Sequence, residues 1–232
     1  MISIHAANNA LKVFTDTYQY LEKSKSENER IEDLKMAWAK QILRRLGVEL
    51  HIIGRPTYDS SVLFLGNHIS YIDIPLLMST TPDISFVAKE ELSKWPVFGA
   101  AARRIETVFV KREQGSSRKS ARLALARALE AEARVVVFPS GTTSLTECKP
   151  WRWGAFQVAH EANSYVQPFR ISYSPLRTAA YIDQDFFPLH LYNLSRQQKI
   201  QATIEFHEPV KIIDPTADCQ QWQNWSKEKI KL

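Results

Sequence analysis

Apolar residues recur at helical spacing over residues 31–47, where Ile31, Leu34, Trp38, Ile42 and Leu46 share one face of an amphipathic helix. Lys35, Lys40, Arg44 and Arg45 decorate its flanks, and Gly47 ends it. Residues 1–30 are polar and weakly periodic, and read as a helical or partly ordered leader. Beyond residue 47 the pattern becomes alternating strand and helix. Val48–Ile53, Val62–Leu65, Ile84–Ala88, Thr107–Val110, Arg134–Phe138, Val166–Tyr173 and Gln201–Phe206 have the apolar, β-branched character of strands. Ile74–Met78 starts a buried helix, and Gly154–Asn163 forms another. Ser116–Ala133 is a clear helix, capped by Ser116 or Ser117 and dominated by alanine and leucine. Asp214-Pro215-Thr216 opens a last helix, with proline where a first turn accepts it. Without internal repeats or a low-complexity linker, the alternation predicts a single α/β domain with helical ends.

One loop in this pattern carries chemistry. Val62–Gly66 runs directly into Asn67-His68-Ile69-Ser70-Tyr71-Ile72-Asp73, which sets a histidine five residues before an aspartate. On a helix those positions lie about 140° apart, so the two side chains meet only if the backbone turns between them. The natural arrangement puts His68 at the strand's end and Asp73 in the first turn of the following helix. The carboxylate would then fix the imidazole tautomer, and the other ring nitrogen could take a proton from a hydroxyl. A second reading has Ser70-x-x-Asp73 as a capping box, with Ser70 as N-cap and His68 an ordinary loop residue.

Composition narrows the setting. With 44% hydrophobic and 24% charged residues the chain is an ordinary globular sequence, and its 232 residues suffice for one substantial domain. No apolar run reaches the ~18 residues that span a bilayer, and the first residues have no signal-peptide pattern. The expected location is therefore the cytosol or a cytosol-facing surface. Two cysteines, Cys148 and Cys219, make no disulfide framework, and the six histidines lack metal-ligand spacing, so no metal is expected. The net charge of +5 suits an anionic partner: a lipid surface, a phosphorylated substrate or a carrier protein. No nucleic acid is expected, because zinc-finger and RNA-binding signatures are missing. The basic helix at 31–47 could lie at a bilayer interface or pack on the core with its charges solvated.

Three further segments accompany the His68/Asp73 loop: Gly99–Arg112, ending Val-Phe-Val-Lys-Arg; Val135–Ser144, containing Phe138-Pro139-Ser140-Gly141-Thr142-Thr143-Ser144; and Val166–Ile171. In this order and spacing, from about residue 38 to about 213, the chain resembles the glycerolipid acyltransferases typified by lysophosphatidic acid acyltransferase. Trp153-Gly154-Ala155-Phe156 also falls where that family has a Gly-Ala-Phe-like segment. The resemblance implies a central mixed sheet flanked by helices, as in glycerol-3-phosphate acyltransferase. It divides the chain into residues 1–47, a helical, membrane-associating segment, and residues 48–232, the acyltransferase domain. It also implies a reaction without a resident cofactor. A fatty acyl group moves from a thioester of coenzyme A or acyl carrier protein to a lysolipid hydroxyl, at the cytoplasmic face of an anionic membrane. His68 is then the general base and Asp73 its orienting partner. Asn67, Ser70, Lys111, Arg112, Ser140, Gly141, Thr142 and Thr143 fall at substrate-binding positions, with Arg112 holding the acceptor's phosphate or polar head.

The third segment departs from the family. Its usual pattern is Phe-Pro-Glu-Gly-Thr-Arg-Ser, so Ser140 stands for glutamate and Thr143 for arginine. Losing the arginine removes a phosphate contact, which argues against lysophosphatidic acid as the preferred acceptor. A threonine there resembles the lyso-ornithine lipid acyltransferases, as do Ala180-Tyr181-Ile182-Asp183 and Glu205-Phe206-His207-Glu208-Pro209. The missing glutamate could mean a different acceptor, weaker activity or a degenerate site, which leaves a noncatalytic lipid-binding relative open. A separate alternative is an esterase or thioesterase in which water replaces the lipid at the same base. Trp151 and Trp153, flanking Arg152, could line an acyl groove or be structural.

Overall fold

A computed structural model describes residues 3–25, 30–59, 61–105, 107–110, 115–145, 149–182 and 184–228. Lys111 and Arg112 therefore lie outside the described residues, as do Cys148 and Asp183.

The chain begins with two helices, α1 (Ile4–Lys23) and α2 (Ile31–Arg45), and continues through β1 (Val48–Ile53), β2 (Val62–Gly66), α3 (Asp73–Thr80) and β3 (Ile84–Lys89). A 3-10 turn at Glu90–Lys94 leads to α4 (Phe98–Arg104), β4 (Val108–Val110), α5 (Gly115–Glu130), β5 (Arg134–Val137) and α6 (Gly154–Glu161). Then come β6 (Tyr165–Ser174), the short α7 (Leu176–Ala179), α8 (Phe187–Ser195), β7 (Ile200–Phe206), β8 (Val210–Lys211) and α9 (Pro215–Lys227). Eight strands among the described residues form one mixed sheet in the order β1-β7-β6-β2-β5-β3-β4, with β8 continuing alongside β6. Its only antiparallel pairings among the described residues are β6 with β7 and β6 with β8.

The central strand β2 is buried along its whole length, as expected of an unbroken apolar run covered on both faces. Its alternation sorts the core into two layers. Val62 and Phe64 point into a cluster with α1, α2, α3, α4 and α8, while Leu63 and Leu65 point to the opposite cluster with α5, α6 and α9. Gly66 ends the strand against β6, where a side chain would run into the Phe169 ring and carbonyl.

The two N-terminal helices belong to the first layer. Val13 and Tyr20 of α1 and Leu34, Ala39, Ile42 and Leu43 of α2 join the cluster that covers the sheet. The apolar face of residues 31–47 is thus turned inward onto the core, and Lys40 and Arg44 remain exposed on its outer side. Arg45 is held at 2.8 Å by Asp16 of α1. No helix among the described residues is long and apolar enough to cross a membrane.

Candidate active site

The loop after β2 brings His68 and Asp73 together. His68 Nδ1–H donates to Asp73 Oδ2 at 2.6 Å, and Asp73 is fully buried at the first position of α3. The same oxygen accepts the backbone N–H of Ile69 at 2.8 Å and of Ser70 at 3.1 Å. The second carboxylate oxygen accepts the Tyr173 hydroxyl at 2.6 Å. Both readings of the sequence are therefore half right. Asp73 reaches back over the loop as a capping carboxylate does, and it also holds the imidazole. Ser70 is not the capping side chain, since its hydroxyl is buried with no hydrogen-bond partner among the described residues.

The neighbouring elements fix the ring. Asn67 acts as an extra rung between β2 and β6: its Nδ2 donates to the Ile171 carbonyl at 2.8 Å and its Oδ1 accepts from the Ile171 N–H at 2.7 Å. The His68 carbonyl accepts from the Ser144 N–H at 2.9 Å, tying the loop to the turn after β5. Phe138, just past β5, stacks on the imidazole with centroids 4.0 Å apart and planes 11° from parallel. With Nδ1 bonded to the carboxylate, Nε2 carries the lone pair of the neutral ring.

His68 forms part of the wall of a cavity of about 520 Å³. Aliphatic and aromatic side chains from α1, α2, α3, α4 and α8 line most of it, among them Val13, Trp38, Ile42, Ala102 and Leu191. Gly141, Thr142 and Thr143 form the polar wall beside His68. Gly141 has φ of +71°, a backbone that L side chains adopt only with strain. Ser140 is buried next to it, and its hydroxyl donates to the Thr142 carbonyl at 2.9 Å, so it shapes the turn.

Comparison with known proteins supplies the family. The acyltransferase family matches residues 41–172, more than half of the chain. The chain belongs to the acyltransferase family. It is 32% identical over 178 residues to the lyso-ornithine lipid O-acyltransferase of Pseudomonas aeruginosa, covering 75% of this chain and 68% of that one. Against the enzyme of the same name from Rhizobium meliloti the identity is 30% over 191 residues, covering 75% and 65%. The 1-acyl-sn-glycerol-3-phosphate acyltransferase of Neisseria gonorrhoeae is 29% identical over 179 residues, covering 74% and 69%. The chain thus spans about two thirds of the length of these relatives. Among solved structures, the 1-acyl-sn-glycerophosphate acyltransferase PlsC of Thermotoga maritima superposes with a TM-score of 0.66, covering 96% of this chain and 95% of that one. At 18% identity that likeness establishes the acyltransferase fold.

Within this acyltransferase, the residues singled out from sequence separate into three groups. His68, Gly141, Thr142 and Thr143 reach the cavity. Asn67, Ser70, Asp73 and Ser140 lie behind that wall, each at most 5% exposed. Lys111 and Arg112 are outside the described residues. Trp151 is buried in the core layer on the other face of the sheet, away from the dyad. Sequence reasoning missed Tyr173 and Phe138 as neighbours of the dyad. A tyrosine at a buried strand position needs a partner for its hydroxyl, which is a usable signal for Tyr173. Phe138 gave none, because its stacking on His68 depends on how the β2 and β5 ends lie side by side.

A second histidine sits at the far side of the loop. His190 of α8 donates from Nε2 to the Ala180 carbonyl at 2.8 Å, which leaves Nδ1 to accept the Tyr71 hydroxyl at 2.9 Å. Burial lowers its pKa below the usual histidine value. Burial likewise raises the Tyr71 phenol well above its ordinary value, so Tyr71 stays a donor.

Proposed function

We propose that this chain is an O-acyltransferase that moves a fatty acyl group from a thioester, on coenzyme A or acyl carrier protein, to the hydroxyl of a lysolipid. The observation that carries this reading is the His68–Asp73 pair set in the wall of a largely apolar cavity of about 520 Å³. His68 Nε2 takes the proton of the acceptor hydroxyl as its oxygen attacks the thioester carbonyl carbon. The carbon–sulfur bond then breaks, the ester forms, and the proton on His68 passes to the leaving thiolate. Asp73 stabilises the imidazolium in between. The Gly141 amide already donates to the Phe138 carbonyl at 2.9 Å, so the donors proposed for the carbonyl oxygen as it gains charge are the Thr142 and Thr143 groups on the same wall.

The acceptor is taken to be a lyso-ornithine lipid in preference to lysophosphatidic acid. Thr143, an uncharged side chain in the cavity wall, supports this, as do the names of two of the relatives. Arg112 remains the proposed partner of the acceptor's polar head. A peripheral contact with an anionic membrane delivers the acceptor. The apolar face of α2 is turned inward, so the contact is assigned to α1 and α8, which pack side by side and expose Leu11 and Leu189, with Phe186 exposed just before α8.

The test is a panel of lysolipids mixed with acyl thioesters, read by free-thiol release. Release that requires a lysolipid and disappears in His68→Ala with the fold intact is the expected result. Release without any acceptor would replace transfer by thioester hydrolysis. Lipid binding with no release would leave a noncatalytic relative.

A further inference from the structure

We propose that Tyr173 is a positioning residue of the dyad: its hydroxyl, donated to Asp73 Oδ1, sets how strongly the carboxylate holds a proton on His68. Tyr173 stands near the end of β6, opposite Ala202 of β7, and is 6% exposed. Its hydroxyl lies 2.6 Å from a carboxylate that no solvent reaches. Of the four donors on Asp73, two are amides of the loop and one is the imidazole itself. Tyr173 alone comes from a different part of the sheet, and it alone contacts Oδ1 among the described residues. A phenylalanine would fill the core equally well, so the hydroxyl answers to the carboxylate and not to packing.

The physical effect has a definite sign. A hydrogen bond to an anion stabilises it and makes it a weaker base. Each donor on Asp73 therefore weakens the pull on the proton that His68 must later release. Burial, and then the charge of Asp73, raise the Tyr173 phenol well above its ordinary pKa, so it remains a neutral donor. The other titratable groups about the loop are Tyr71, Tyr181, His190 and, beyond them, Asp185, while Glu91 and Tyr20 line the same cavity as His68. Phe138, Thr142 and Thr143, which share the cavity wall with His68, do not titrate in the working range.

The role rests on the acyl-transfer reading only for its catalytic meaning, because the protonation of His68 can be followed without turnover. The experiment is an NMR titration of the His68 imidazole in the wild-type protein, in Tyr173→Phe, and in protein carrying 3-fluorotyrosine at position 173. Removing the donor should raise the midpoint by about half a unit to one unit, the size of one modest hydrogen bond. The fluorinated ring is a stronger acid and a stronger donor, so it should lower the midpoint. In turnover, Tyr173→Phe should carry the acid limb of kcat/KM to higher pH by the same amount and so lower kcat/KM about 3- to 10-fold along that limb, with both KM values unchanged. Equal midpoints in all three proteins would overturn the role, as would a defect confined to KM. If the phenylalanine variant does not fold, the fluorotyrosine protein decides alone, and an unmoved midpoint there overturns it. A moved midpoint in a protein that transfers no acyl group would sink the proposed function and leave this inference standing.

Discussion

Replacing Asp73 by asparagine and by alanine separates its structural work from its chemical work. Asp73 accepts four hydrogen bonds in a site with no solvent exposure. Asparagine keeps an oxygen for the Ile69 and Ser70 amides and for His68 Nδ1–H, while its amide group meets the Tyr173 hydroxyl, which can rotate to accept. Those bonds lose their charge assistance, about 1 kcal/mol each, for a total of roughly 4 kcal/mol. The fold also no longer buries an anion, and that offsets a comparable amount. Asp73→Asn should therefore melt close to the wild-type temperature. Alanine leaves the Ile69 amide, the Ser70 amide and the Tyr173 hydroxyl buried without an acceptor, at about 1–3 kcal/mol apiece, so it should be destabilised by roughly 3 kcal/mol or more.

Catalysis should not follow this order. Both variants lose the negative charge opposite the imidazolium, and kcat should fall about 10²- to 10⁴-fold in each, equivalent to roughly 3–5 kcal/mol of barrier. The acceptor's KM should hold in the asparagine variant, because Asp73 does not reach the cavity. Denaturant or thermal unfolding beside steady-state thiol release makes the comparison. An asparagine variant that is stable and turns over within a few-fold of wild type would refute the argument, since the charge would then do nothing for His68.

Other perturbations test the surroundings. Ala102 lines the cavity from α4, and Ala102→Leu adds three carbons there; displacing as many methylenes at about 0.8 kcal/mol each should cut use of the longest acyl donors about 50-fold and spare the short ones. His190 is held neutral by burial, so below the ordinary histidine value of about 6.5 the unfolded chain binds the extra proton and stability falls with pH, while above it the stability is fully present. His190→Gln should flatten that acid slope in thermal melts between pH 5 and 8. Serine at both Phe186 and Leu189, which are 69% and 56% exposed, should weaken flotation with anionic liposomes roughly 10-fold or more without changing the melting temperature. Ser140→Glu combined with Thr143→Arg should move acceptor preference toward phosphate-bearing lysolipids in the thiol-release panel, and an unchanged ranking would detach the turn from head-group choice.

The parts of this fold that could be read from sequence are those set by local pattern. The apolar run Val62–Gly66, the Asp214 cap and the alanine-rich stretch of α5 each specify their element within a dozen residues. The strand at 134–138 ends at Val137, which frees Phe138 to stack on His68. Missing from that reading, besides the very short α7 and β8, are α4 and α8. Each is only a turn or two of helix, too short to establish a period, and Pro188 in the first turn of α8 obscures its start. These two helices, with α1 and α2, supply much of the apolar cavity wall. The cavity was therefore illegible where the dyad was not: the dyad lies within six consecutive residues, and the cavity is an agreement among distant segments.

Asp73 shows why the two sequence readings of its loop could not be separated in advance. A capping carboxylate and a catalytic partner make the same demand of the backbone, namely a turn that aims N–H groups and one side chain at a single oxygen. Here the demand is met once: Oδ2 receives the Ile69 and Ser70 amides together with His68 Nδ1. The amides hold the carboxylate in place before any substrate arrives, so the imidazole finds its partner already oriented and no reorganisation remains for the reaction. In the proposed acyl transfer the cap is thus part of the chemistry. Weakening it, even with His68 and Asp73 both present, should loosen the ring that Phe138 and Asp73 now hold between them.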